Sequence, residues 1–463
     1  MLNYQKILLW FRHQRSVMKK IRIAKALLAI LAIVMFFSTS PAWGQEQVSS
    51  ASLIVSSIDI SGNIKTKEGI ILSLLDFKVG DSINKVQLGE NIARLQGSNF
   101  FKTVNVYTQP GEEKGYIKVY IEVQERRWPF FQFKSGFNEL DGWYISPLGV
   151  RFDNFFGHGN YFGAEFLIGD RVTGLDISYL RPNIMSSDLN LGVSLSSRDR
   201  QFVHYPEQVK YLQHVKSTGL SLRLNANHGL LKYLWFELSR ESYLSDDFMK
   251  KPDNDTTFAL PPVLQPFSGQ EQKIGRIIVS LNVDTRDQIY YPIGGWWGSL
   301  ALDQASTQLG AFEDFKKIIL DIRRYQALVN DWVIAARLRS GWVSDQAPFY
   351  EKFYLGGPNS LRGYEDRSLN PLGYASYLVQ GSAEFRFPIT RNNFPRHFLT
   401  GVFFYDVGEA WNKPDEFDST RLKSSLGYGF RFRIPIIGLV RLDFAYPIPE
   451  YEFRVHLSLG HTF

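Results

Sequence analysis

The chain has 463 residues, 44% of them hydrophobic, with a mean hydropathy of −0.17. That balance excludes a bundle of transmembrane helices, and the formal charge of +6, with no dense basic tract, gives no footing for nucleic-acid binding. There is no cysteine, so no disulfide framework holds the fold. Aromatic residues make up 15% of the chain, a content that suits alternating strands with interfacial aromatic girdles.

Residues 1–44 read as a signal peptide. Met18-Lys19-Lys20, Arg22 and Lys25 form a basic region, residues 26–37 an apolar run, and Ala42-Trp43-Gly44 the small-residue site, with cleavage expected near Gln45. Translation from Met18 is as compatible with this pattern as translation from Met1. The alternative is an uncleaved anchor, but the run falls short of the roughly 20 residues a spanning helix needs. Residues 45–52 are a polar linker.

Residues 53–127 read as a small α+β domain. Ile58 and Ile60 alternate into a strand ending at Ser61-Gly62-Asn63. Thr66 is placed to cap a helix with Ile70, Ile71, Leu74 and Leu75 on its apolar face. A turn follows around Gly80. Leu88, Ile92 and Leu95 predict a second helix closed by Gly97. Val104 and Val106 begin one strand, and Ile117, Val119, Ile121 and Val123 another, with a turn at Pro110-Gly111. The expected order is β-α-α-β-β. With Gly62-Asn63, Gly80, Phe100-Phe101 and residues 122–125 as they stand, the segment resembles a polypeptide-transport-associated (POTRA) domain. The resemblance implies a periplasmic module whose exposed sheet edge accepts extended client segments by backbone hydrogen bonding.

From residue 128 to 463 the period becomes two, and about sixteen antiparallel strands are predicted, an even number as bacterial barrels require. The last strand, 452–463, sends Phe453, Val455, Leu457 and Leu459 one way and Arg454, His456 and Ser458 the other. Loops near 199–215, 244–272 and 345–374 follow odd strands. Short turns near Asn227, Asn330 and 437–438 follow even ones. That asymmetry puts long loops outside the cell and both barrel ends on the periplasmic side. The expected fold is therefore mainly β: a sixteen-stranded transmembrane barrel behind one small domain.

The stretch 351–364 is glycine-rich and carries a single arginine, Arg362. A guanidinium presents five donors in a rigid fork, suited to a carboxylate held in a fixed place. The loop is expected to fold back into the lumen, the alternative being an exposed hairpin. Gly356-Gly357 and Leu361-Arg362-Gly363-Tyr364 resemble the inner loop of the bacterial outer-membrane assembly-factor superfamily, which includes the BamA and TamA insertases, the bacterial surface antigens and the two-partner secretion transporters. Asp284-Thr285-Arg286-Asp287 with Pro292 and Gly294, the Phe404-Tyr405-Asp406-Val407-Gly408 strand and the terminal Phe463 resemble further features of that superfamily. The resemblance implies that Arg362 reaches Asp406. Strand parity permits this: Phe404, Asp406 and Gly408 face the lumen, with Gly408 leaving room beside the carboxylate, and Glu384, Arg386, Arg431, Arg433, Arg441 and Asp443 face it too, leaving several arginines unmatched by acids. The pair either stabilises the barrel, or serves transport, or both.

No catalytic set is visible: there is no Gly-x-Ser-x-Gly elbow and no His-Glu-x-x-His helix. His456 is expected to be a lumen hydrogen-bonder and not a base, and Asp284 with Arg286 a turn held by a local ion pair. Neither a metal, a nucleotide nor another cofactor is expected, and the chain is not expected to be an enzyme. The resemblance implies an assembly factor in the bacterial outer membrane or outer envelope that inserts client strands through a seam between the first and last strands, softened by Gly136 and Gly460 beside Phe463. Its expected partners are unfolded outer-membrane clients, accessory lipoproteins or periplasmic chaperones, and outer-membrane lipid. The alternatives are a polypeptide-secreting pore of the two-partner type and a passive surface-antigen pore.

Overall fold

The computed structural model describes residues 52–459 apart from short stretches at 128, 139–140, 183, 185–188, 229–230, 252–255, 257, 270, 289–290, 391–397, 435–437 and 450–451. The expected signal peptide, almost all of the 45–52 linker, Gly460 and Phe463 lie outside the described residues.

The small domain is built from β1 (Leu53–Ser61), α1 (Glu68–Ser73), β2 (Ser82–Ile83), α2 (Lys85–Gly97), β3 (Phe101–Pro110) and β4 (Tyr116–Glu125). Its sheet runs β2-β1-β4-β3, with β1 parallel to β4. Val55, Ile71, Leu95, Phe101, Val119 and Ile121 are buried between sheet and helices. Alternation in β4 and the helical spacing in α2 therefore point at one core, as the sequence pattern requires. Two expectations change. A two-residue strand, β2, lies between the helices, where a turn alone was expected. Thr66 does not cap α1: the N-cap is Lys67, without a side-chain bond. The Thr66 hydroxyl is engaged elsewhere, accepting from Asn154 Nδ2 at 2.7 Å. By contrast, Asn84 and Gln87 form a reciprocal capping box at the start of α2.

Asn154 belongs to the first strand pair of a second sheet. Its sixteen strands are β5 (Phe130–Asn138), β6 (Gly142–Phe155), β7 (Asn160–Gly169), β8 (Val172–Arg181), β9 (Leu189–His204), β10 (Tyr211–His228), β11 (Leu231–Lys250), β12 (Gln272–Asp284), β13 (Gly295–Ala305), β14 (Phe315–Ala327), β15 (Val333–Val343), β16 (Tyr377–Pro388), β17 (Leu399–Trp411), β18 (Lys423–Ile434), β19 (Gly438–Ile448) and β20 (Arg454–Leu459). Each pairs antiparallel with the next in sequence, giving a nearly closed barrel. Along the strands, outward leucines, isoleucines and aromatics alternate with inward polar groups; Phe403 is 56% exposed while Asp406 is fully buried. The strands β9–β11 run further than their expected ends, because β10 continues pairing with both neighbours as far as Tyr211↔His204 and Tyr211↔Lys250.

Two features of this barrel position everything else. The six-residue β20 pairs with β19 from Ala445↔Arg454 to Val440↔Leu459, and no ladder joins it to β5 among the described residues. The β6–β7 turn, in turn, is docked on the small domain: Lys67 N–H donates to Gly157 O, and Phe100 packs its ring against Tyr161. Gly157, at φ +75°, approaches Lys65 so closely that a Cβ there would lie 1.9 Å from its carbonyl oxygen. That turn therefore marks the end of the barrel that carries the small domain.

Candidate functional site: the inner loop and its lumen network

The loop between β15 and β16 turns into the barrel. Gly356 and Gly357 take φ of +106° and +101°, a region that L side chains avoid. The Gly356 amide donates to Ser360 Oγ, and the Arg367 amide to Gly356 O, which ties the loop into a compact knot. Gly363 has a different reason to be glycine. A Cβ there would meet Ser425 Cβ at 2.6 Å and Pro447 N at 2.7 Å, so the loop backbone lies directly against β18 and β19.

This contact delivers Arg362, which is fully buried, to the inner wall. Its Nε and Nη2 donate to the two oxygens of Asp406 at 2.8 and 2.7 Å, and its own amide adds a third bond at 3.2 Å. Nη1 donates to Glu384 Oε1 at 2.7 Å, and the guanidinium lies 3.5 Å above the Phe404 ring. The carboxylates are shared. Glu384 also accepts from Arg386 and Arg431, while Asp443 accepts from Arg431 at 2.6 Å and lies 3.5 Å from Arg441. Charges taken this far from water persist only when paired and hydrogen-bonded, and here four arginines interleave with three carboxylates.

The same loop grips the seam strand. His456 Nε2 lies 2.7 Å from the Arg362 carbonyl oxygen, and Arg441 Nη2 donates to both Asn359 and Ser458. The Tyr364 hydroxyl donates toward the carbonyls of Ser424 and Ile448.

A second set of contacts crosses to the opposite wall. Arg171, from the β7–β8 connection, donates to both oxygens of Asp366 at 3.2 Å, and Lys210 pairs with Glu365 at 3.1 Å. Arg367 is fully buried, 4.6 Å over the Tyr354 ring and 4.9 Å over Phe202, and donates to Gln201 O. The Tyr374 hydroxyl donates to Val203 O. At the loop's entry, Glu351 lies between Arg276 at 3.0 Å and Lys317 at 3.2 Å. The loop is thus a strut across the lumen, from β16–β20 to β8–β10.

The Omp85 superfamily domain matches residues 154–463, and the surface antigen variable number repeat of the POTRA class matches residues 53–126. The chain belongs to the Omp85 superfamily. It is 23% identical over 422 residues to the outer membrane protein assembly factor BamA of Nitratidesulfovibrio vulgaris, covering 87% of this chain and 50% of that protein, so it spans half the length of this relative. Among solved structures it superposes on BamA from Haemophilus ducreyi lacking POTRA domains 1–3, with a TM-score of 0.66 at 18% identity, covering 88% of this chain and 84% of that one. It also superposes on CdiB from Acinetobacter baumannii, with a TM-score of 0.53 at 14% identity, covering 89% and 74%. An Omp85 barrel with a POTRA domain resides in the outer membrane, with that domain in the periplasm.

In this Omp85 chain Gly356, Gly357, Leu361, Arg362, Gly363 and Tyr364 lie together in the strut, and Asp406, Phe404, Glu384, Arg386, Arg431, Arg441 and Asp443 form the wall it meets. Two expectations need correction. The lumen arginines are not left unmatched: Arg386, Arg431 and Arg441 each reach a carboxylate. Arg433 also faces inward, 4.5 Å over the Tyr291 ring. Gly408 makes room for the loop and not for the ion pair, since a Cβ there would meet Val379 O at 2.7 Å and Leu355 Cδ1 at 3.3 Å. Asp284 and Arg286 form their local ion pair at 2.9 Å. The sequence reading missed the whole opposite limb. Its signal was the charged run Glu365-Asp366-Arg367, whose partners lie about 155–195 positions away in the chain.

Proposed function

We propose that the protein assembles outer-membrane β-barrel clients, admitting their strands at the seam between β5 and β20. The observation that carries this reading is the absence of a ladder between β5 and β20 among the described residues, next to a strand whose lumen side is gripped by the inner loop and Arg441. A client strand pairing with a free edge satisfies its backbone hydrogen bonds before meeting lipid, where each unsatisfied group costs several kcal/mol. Gly136 lies in β5, opposite Tyr144 of β6, and leaves that edge without a side chain to pack at one position. The POTRA domain offers β3 as an outer sheet edge for an extended client segment, with accessory lipoproteins or periplasmic chaperones as further partners. The arginine–carboxylate network holds the strut in place; binding and pairing supply the driving force, without a catalytic group.

The test uses the absence of native cysteine. A disulfide introduced between β5 and β20 should block accumulation of other barrels in the outer membrane, and reduction should restore it. Normal accumulation with the seam locked overturns the reading. Loss of one secreted polypeptide, with outer-membrane composition intact, would replace assembly by secretion. Steady ion conductance with neither effect would leave a passive pore.

A further inference from the structure

The outer wall of β8–β12 carries a groove that assembly at the seam does not use. Lumen partners fix which side chains point inward: Asp176 pairs with Arg198, and Glu241 pairs with Arg276, itself bound to the inner loop's Glu351. The alternate residues therefore face out. Strand register sets Leu175, Ser197, Thr218, Ser242 and Lys273 in one outward row across five strands. Three adjacent small hydroxyl side chains stand between larger neighbours, and the wall is hollowed there into two adjoining depressions of about 510 and 570 Å³.

The next row toward the membrane centre is Ile177, Leu195, Leu220 and Arg240. Leu195 and Leu220 are each half exposed. Along β11 the outward residues read Leu234, Phe236, Leu238 and then Arg240, so the guanidinium stands where the lipid-facing band ends. That end is opposite the turn docked on the small domain, which puts it at the outer leaflet. Arg240 lies against Gly310, whose added Cβ would be 3.1 Å from Nη2, and it has no hydrogen-bond acceptor or ion-pair partner among the described residues. The upper rim holds Lys216, the Asp199–His214 pair at 2.9 Å, and Glu271, which accepts from Ser242 and lies 4.0 Å from Lys273.

We propose that this groove binds the phosphorylated sugar head of an outer-leaflet glycolipid. Arg240 supplies a planar fork for phosphate, with Lys273 as a second cation. The hydroxyl row matches sugar hydroxyls, and Leu195 and Leu220 continue downward as a wall for acyl chains. Asp199 and Glu271 keep the net charge of the rim low. Bulk attraction to any anionic lipid is therefore weak, and selectivity rests on the two cations, Arg240 and Lys273, set beside the hydroxyl row.

Native mass spectrometry of the full chain in detergent, titrated with lipid A and separately with phosphatidylglycerol, tests this. Lipid A should be retained about tenfold more tightly, a difference of about 1.4 kcal/mol. Arg240→Ala with Lys273→Ala should abolish that preference, and Thr218→Val should narrow it. Lys316→Ala, an exposed cation on β14 outside the groove, should change nothing. Unchanged heat-modifiable migration of each variant on gels shows that the barrel still forms. Equal retention of the two lipids by the native chain, a preference that survives the double substitution, or an equal loss with Lys316→Ala overturns the proposal.

Discussion

The bond between Arg362 and Asp406 permits a sharp test, because the lumen network is unevenly supplied. Glu384 retains Arg386 and Arg431 if Arg362 is removed, and Asp443 retains Arg431 and Arg441. Among the described residues Asp406 then retains no cation, only the backbone amide of residue 362 at 3.2 Å and Ser425 Oγ at 3.5 Å. Arg362→Ala should therefore orphan one fully buried carboxylate and leave the others paired. Removing one partner of a buried pair costs about 3–5 kcal/mol, most of it the stranded charge. Asp406→Asn in the same background discharges that group and should recover much of the loss, so the double-mutant cycle should show a coupling of about 2–3 kcal/mol. Glu384→Gln in place of Asp406→Asn should recover little. The assay is urea unfolding of the folded barrel in detergent micelles, followed by the loss of heat-modifiable migration. A cost for Arg362→Ala below about 0.5 kcal/mol, within the ordinary range for surface changes, or a coupling indistinguishable between the two rescues, would refute the reasoning.

Gly363→Ala should destabilise by about 1–3 kcal/mol, because its methyl group overlaps the backbone of β19 at Pro447; the same unfolding assay reads it, and a neutral result would mean the loop does not rest on that wall. Asp366→Asn should cost only about 1 kcal/mol or less, since Asp366 is a quarter exposed and Arg171 still has Asp170 at 3.5 Å. It should nevertheless raise ion conductance in planar bilayers by loosening one limb of the strut, and an unchanged conductance would count against the strut. Gly157→Ala should undock the small domain while leaving barrel migration unaltered. The readout is faster proteolysis at residues 126–129, and native-like resistance there would show that the close approach to Lys65 is not required.

The barrel was legible because its cause is local. Lipid outside and water inside impose a two-residue period, and β20 shows it plainly in Val455 and Leu457 against His456 and Ser458. The motif around Arg362 was legible for a related reason: glycine spacing and a lone arginine are visible in one short window. Strand ends were less so, since β10 gains its first residues, 211–215, by pairing with two neighbours that the sequence cannot place beside it. The Thr66 cap failed similarly, as a hydroxyl well placed for α1 was taken by Asn154, 88 positions away. Charge balance in the lumen was the hardest part. Parity shows which arginines face inward, but only the closed wall brings Arg431 of β18 between Glu384 of β16 and Asp443 of β19.

The placement of the loop contacts bears on the proposed opening at the seam. Among the described residues β20 has one ladder, to β19, and six residues form it. The loop bonds β20 at the His456 side chain and reaches the Ser458 side chain through Arg441 of β19, and neither contact uses the strand's backbone edge. Had the loop bonded that edge directly, an arriving strand would have had to displace it. On the proposed function, the strut would hold β20 from behind while an incoming strand paired with its outer edge. The opposite limb, through Asp366 and Arg367, prevents the same strut from swinging out with β20. Stability of the closed wall and availability of its edge are thereby assigned to different atoms of the same strand, which supports assembly at the seam over a lumen held open for continuous flow.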